Sequence, residues 1–183
     1  MPKHDVYMFI SNGNADTMKK LRDAWRRGQI RYATSTLSGD WGAVAFLEAD
    51  DGLAGFDALA SNIQAVRDAV NPGTSTGHAI KIGTRAPTRW SDKKAIGAYI
   101  RIWTHGGQAR AVFEELNRRW DGNDQYGSAL IVGGWDVLIE VDADTREEVN
   151  AWVEEINGVA GVSRTETSLV RNPPAEPSGP DPD

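Results

Sequence analysis

The stretches Trp41–Asp50 (WGAVAFLEAD) and Trp135–Asp144 (WDVLIEVDAD) align without a gap, 94 positions apart. Each is an apolar run opened by Trp and closed by Ala-Asp. The similarity continues upstream. Leu21-x-x-x-Trp25 matches Leu116-x-x-x-Trp120, and VYMFI (Val6–Ile10) matches AYIRI (Ala98–Ile102). Self-similarity at a fixed spacing marks one structural unit used more than once. The 183 residues therefore predict two units. At about 85 to 90 residues, each is near the lower size at which a core stands alone.

Local patterns predict the same element order twice. Val6–Ile10 reads as a strand. Next, DTMKKLRDAWRRG reads as a helix with Met18, Leu21 and Trp25 on one face, Asp16 as its N-cap and Gly28 as its stop. IRYATSTL and GAVAFLEA follow as a hairpin turning near Ser38-Gly39-Asp40. Phe56, Leu59, Ile63, Val66 and Val70 fall at helical spacing, and HAIKIG is a closing strand. In the second half AYIRIW, SALIVG, WDVLIEVDA and SRTETSLV are strands, while GQARAVFEELNRRW and TREEVNAWVEEING are helices. Thr145 and Glu148 form a capping box.

The predicted fold is α+β: two tandem ferredoxin-like (βαββαβ) units forming a pseudo-dimeric α/β barrel. The units span residues 1–84 and 97–171, with a polar, basic, Pro-containing linker at 85–96. Residues 172–183 (NPPAEPSGPDPD from Asn172) read as a disordered tail.

Composition narrows the functional classes. The net charge of −6 divides unevenly, with 13 Lys+Arg against 10 Asp+Glu in residues 1–94 (+3) and 7 against 16 in 95–183 (−9). An acidic second half argues against general nucleic-acid binding, which needs a basic face for phosphates. The opposite signs suit head-to-tail contact between chains, though solubility alone explains them as well. No cysteine is present, which excludes disulfides, thiolate metal sites and cysteine nucleophiles. No run is long and apolar enough to span a membrane. The N-terminus lacks a secretion signal, so a cytoplasmic location is expected.

Gly134-Trp135-Asp136 and GVSRTETSLV (Gly161–Val170) resemble the glycine-aromatic-aspartate turn and final strand of the ligand-binding (RAM) module of Lrp/AsnC regulators. The resemblance covers roughly residues 97–171. The first half follows the plan more loosely, with Gly42 where Asp136 stands and HAIKIG in place of the RTET strand. The resemblance implies the dimeric α/β-barrel fold and effector binding near Asp136, Thr165 and Thr167. The family's regulators also carry an N-terminal helix-turn-helix. Here the first strand begins at Val6, so direct DNA binding is not expected.

Strand alternation supplies a second candidate site. Val137, Ile139 and Val141 point to the helices, leaving Asp136, Leu138 and Glu140 opposite. Tyr99, Arg101 and Trp103 likewise oppose Ile100 and Ile102. Adjacent strands then bring Arg101 and Glu140 together, where the first half has Phe9 and Phe46. A cavity lined by Tyr7, Tyr99, Trp103, Arg101 and Glu140 would hold the carboxylate and ammonium of an amino acid. A buried structural ion pair is the other reading. Asp136 is similarly open between accepting an effector's ammonium and satisfying its own turn.

The seven tryptophans occur partly in matched pairs, which suits core and interface packing; an aromatic cage is the alternative. His78, in a strand, is the candidate for an iron ligand or base, beside His4 and His105. No metal-ligand spacing, phosphate loop or G-x-S-x-G is present. The leading expectation is a non-enzymatic sensor of an amino-acid-like effector, homo-oligomeric or joined to a partner regulator, with no cofactor or metal. An α/β-barrel monooxygenase or haem enzyme, and a self-assembling scaffold, are the alternatives.

Overall fold

The computed structural model describes residues 3–11, 13–38, 41–50, 53–70, 76–85, 94–123 and 125–171. The first half holds β1 (Lys3–Ile10), α1 (Ala15–Arg26), β2 (Tyr32–Ser35), β3 (Ala43–Asp50), α2 (Leu53–Ala69) and β4 (Thr76–Arg85). The second holds β5 (Ile96–Thr104), α3 (Ala109–Arg119), β6 (Tyr126–Gly133), β7 (Val137–Ala143), α4 (Arg146–Asn157) and β8 (Val162–Arg171). The chain divides into two compact units, with the boundary falling in β4 after Ile80. Of the predicted 85–96 linker, Arg85 closes β4 and Ile96 opens β5; 86–93 lies outside the described residues, as does the predicted tail.

Each unit is an antiparallel sheet carrying two helices. The first sheet runs β2-β3-β1-β4 and the second β6-β7-β5-β8, the ferredoxin-like order in both. The repeat persists in the register. Ile10 pairs with Ala43 and Val6 with Leu47; Ile102 pairs with Val137 and Ala98 with Val141. A slip of one residue would turn every apolar side chain to the wrong face, so buried faces hold a register firmly.

Helix faces complete the cores. In the first unit α1 buries Leu21 and Ala24, and α2 buries Leu59 and Val66, against Val6, Met8, Ala45 and Leu47. In the second, Val112 and Leu116 of α3 and Val149 and Ile156 of α4 close over Ile100, Ile102, Val137 and Ile139. Trp120 packs on Trp152 and Tyr126 (centroids 4.5 and 4.9 Å), and its indole N–H donates to Glu155. This tryptophan is a packing residue, as its repeat position predicted.

The ends of α1 show how local chemistry sets helix limits. Asp16 is not the N-cap. The helix starts two residues earlier, because the Asn14 side chain accepts from the Thr17 N–H at 2.9 Å. Asp16 lies in the first turn, paired with Lys20. Gly28, at φ 71°, takes the left-handed conformation that ends the helix. Asn14→Ala is expected to cost about 1 kcal/mol of stability, read from the urea midpoint. At α4 the Thr145 hydroxyl accepts from the Glu148 N–H at 3.2 Å. The Glu148 carboxylate accepts from the Asp144 N–H, one residue before the cap.

Candidate functional site: the helix-free face of the second sheet

Because Ala98, Ile100, Ile102, Val137, Ile139, Val141 and Leu169 belong to the helix-side core, alternation turns their strand neighbours to the other face. The register arranges that face in rungs. Tyr99 lies across from Glu140 and Ser168, Arg101 across from Leu138 and Glu166, and Trp103 across from Arg164. Tyr99, Arg101, Leu138, Glu140, Asp142 and Ser168 are all buried.

Arg101 is the largest of the fully buried side chains, 2 % exposed. Its Nη2 lies 3.1 Å from Glu166 Oε2. The second Glu166 oxygen faces Arg164 Nη2 at 3.4 Å. The Arg164 guanidinium stands 3.8 Å from the Trp103 ring centroid. Arg101 lies 5.6 and 6.0 Å from the Trp135 and Trp103 rings, which meet edge to face at 6.4 Å. The Trp103 indole N–H donates to the Gly134 carbonyl at 2.6 Å. Exposure rises outward along this chain of charges, from 2 % at Arg101 to 28 % at Glu166 and 57 % at Arg164. A guanidinium beside indoles is positioned by cation–π attraction and can bind a planar anion by charge-assisted hydrogen bonds.

The predicted residues separate into groups. Tyr99, Arg101, Trp103 and Glu140 share this face, as alternation required. Arg101 and Glu140 do not stand directly opposite, however. Glu140 lies one rung along, across from Tyr99, and the carboxylate across from Arg101 is Glu166. Thr165 and Thr167 fall on the other face, opposite Ile102 and Ile100, and the Thr165 hydroxyl donates to Asn157 at 3.0 Å. They are not brought to Arg101. Tyr7 belongs to the first unit, where its ring lies 5.0 Å from Phe46.

Asp136 has a structural task. Its Oδ2 accepts from the Thr104 N–H at 2.7 Å and from the Thr104 hydroxyl at 3.0 Å. Its own N–H donates to the Ile102 carbonyl at 2.9 Å. The residue thus ties the β6–β7 turn to the end of β5. Asp136→Ala is expected to destabilise by about 1–3 kcal/mol, measured by urea unfolding, by leaving those donors unmatched.

Sequence reasoning missed Glu166 and Arg164. The resemblance of the final strand points to its threonines. Alternation along SRTETSLV separates Arg164, Glu166 and Ser168 from those threonines, and that signal was available. What it lacked was the pairing of β8 with β5.

No protein-family model matches the sequence, and no curated protein matches it. Solved structures do. A provisionally assigned monooxygenase of Fusobacterium nucleatum is similar at a TM-score of 0.59 and 10 % identity, over 92 % of this chain and 91 % of that one. A provisionally assigned chlorite dismutase is similar at 0.58 and 5 % identity, over 94 % and 96 %. At such identities the likeness is one of fold. Among the described residues, no helix is long and apolar enough to cross a membrane. No group of three or more acidic or histidine side chains there could hold a metal.

A haem would need an axial His, Cys, Met or Tyr. His105 is exposed in a turn, and His78 pairs with Met8 in β4 with its side chain outside the described set. The face around Arg101 carries guanidinium and carboxylate groups, and its phenol, Tyr99, is buried between Glu140 and Ser168.

Proposed function

We propose that this protein is a small-molecule enzyme of the α/β-barrel monooxygenase type, whose substrate carries an anionic group held by Arg101. In this reading the tandem units form a pseudo-dimeric barrel. The carrying observation is a comparison within the chain. In the first sheet Phe9 takes the position of Arg101, lying across from Val44 and Gly77 as Arg101 lies across from Leu138 and Glu166. Both Phe9 and Arg101 are buried. The same rung thus has an apolar solution, and the fold itself does not require the ions. Desolvating a charge costs several kcal/mol, and apolar replacements of buried pairs are often neutral or stabilising. A guanidinium retained against that cost is understandable where it meets a ligand's anion.

The likeness of fold to a provisional monooxygenase, over 92 % of this chain, is the reason an enzyme is read before a sensor. A sensor of the Lrp/AsnC kind is the second reading, favoured by the Gly134-Trp135-Asp136 resemblance. It is weakened by the engagement of Asp136 with Thr104.

A thermal-shift screen with benzoate, hydroxybenzoates, the twenty amino acids and haem separates these readings, with hits passed to an oxygen electrode. An aromatic acid is expected to raise the melting temperature by mass action, and a dihydroxybenzoate, whose ring can itself give up the two electrons that reduce the second oxygen atom, is expected to drive oxygen uptake. Stabilisation by an amino acid without oxygen uptake would favour the sensor. No response to any compound would remove both.

A further inference from the structure

We infer that Glu166 is a built-in occupant of a carboxylate subsite, and that an aromatic carboxylate enters by taking its place between Arg101 and Arg164. This rests on the anion site proposed above and names its ligand class. Arg101 is buried, so its charge needs an anion at all times. Glu166 supplies one, 3.1 Å away and shared with Arg164 at 3.4 Å. Unlike Arg101 it is partly exposed, at 28 %, and can turn out to water once another carboxylate replaces it.

Exchange of one carboxylate for another keeps the rung's charge unchanged. A neutral ligand would leave the charge of Glu166 unreplaced between Arg101 and Arg164, so the same arrangement disfavours neutral isosteres. The aromatic part follows from Trp103 and Trp135. Arg164 is long and mostly exposed, and covers the Trp103 indole at 3.8 Å. It can follow the incoming carboxylate off that ring and uncover a flat apolar surface. The first unit has neither ion, with Phe9 and Gly77 on the equivalent rung, and is expected to take no such ligand.

The test uses 4-nitrobenzoate and its neutral isostere 4-nitrobenzamide, with quenching of tryptophan fluorescence as the signal. Glu166→Gln keeps the shape and removes the competing charge. It is expected to bind 4-nitrobenzoate about tenfold more tightly than the parent, the scale of one charged hydrogen bond, with nitrobenzamide unchanged. Glu166→Asp, with its carboxylate drawn back by one methylene, is expected to fall between the two and serves if the Gln variant does not fold. Equal binding of 4-nitrobenzoate by the parent and both variants, with loss on Arg101→Lys, would overturn the exchange while leaving the anion site standing. If 4-nitrobenzoate binds none of the proteins, the exchange and the anion site fall together.

Discussion

Arg101→Phe with Glu166→Gly, which copies the equivalent rung of the first sheet, is expected to leave stability within about 1 kcal/mol of the parent. Breaking a buried pair from one side costs about 3–5 kcal/mol, because the remaining charge loses its partner. Here Glu166 is partly exposed, so Arg101→Ala alone should cost about 3 kcal/mol, near the low end. Removing both charges avoids that loss, and an apolar pair is then neutral or better. The glycine subtracts about 0.5–1 kcal/mol for backbone freedom in a strand. A double-mutant cycle by urea unfolding would therefore show strong coupling between the two positions. The double variant should also lose every aromatic-acid response, although it folds. If it unfolds as readily as Arg101→Ala, the ions are a requirement of this sheet and the comparison with Phe9 fails.

The other large effect lies at the repeat's helical anchors. Leu21 and Leu116 are each fully buried and occupy corresponding places in α1 and α3. Leu21 packs in the core with Val6, Met8 and Leu47, and Leu116 in the core with Ile100, Ile102 and Tyr126. Leu→Ala at either site removes apolar burial and leaves a cavity that neighbouring strands fill poorly. The expected cost is about 2–5 kcal/mol at each, read from the urea midpoint at constant slope. For units of this size that is a large share of total stability. Loss of less than about 1 kcal/mol at Leu116 would mean that α3 is not a true counterpart of α1 in holding its sheet.

Much of this architecture was readable without coordinates, and the reason is periodicity. An apolar residue every second position assigns a strand's faces, and one every third or fourth assigns a helix's. WDVLIEVDA and AYIRIW therefore sorted correctly into core and opposite faces. The repeat did the same for topology, since two copies of one pattern must satisfy the same burial problem. Local chemistry was harder to read where neighbours compete. Asn14 and Asp16 are both good caps, and only the backbone conformation at Asn14, extended at φ −64° and ψ 170°, decides between them.

The site was legible in its members but not in its pairings. Tyr99, Arg101, Trp103 and Glu140 could be placed on one face from alternation alone. The identity of Arg101's partner depends on which strands flank β5 and at what register. The sequence of β5 carries no mark of either. Asp136 shows the same limit, because its bonds reach Thr104, 32 positions away. By itself, then, the sequence determined that this chain is one βαββαβ unit used twice, which faces of its strands are apolar, and that a charge stands in one unit where the other has a phenylalanine. The tertiary structure alone decided that this charge meets Glu166 and lies among Trp103, Trp135 and Arg164. Face and period are properties of consecutive residues. An ion pair between strands is a property of register, which long-range hydrogen bonding and core burial set together.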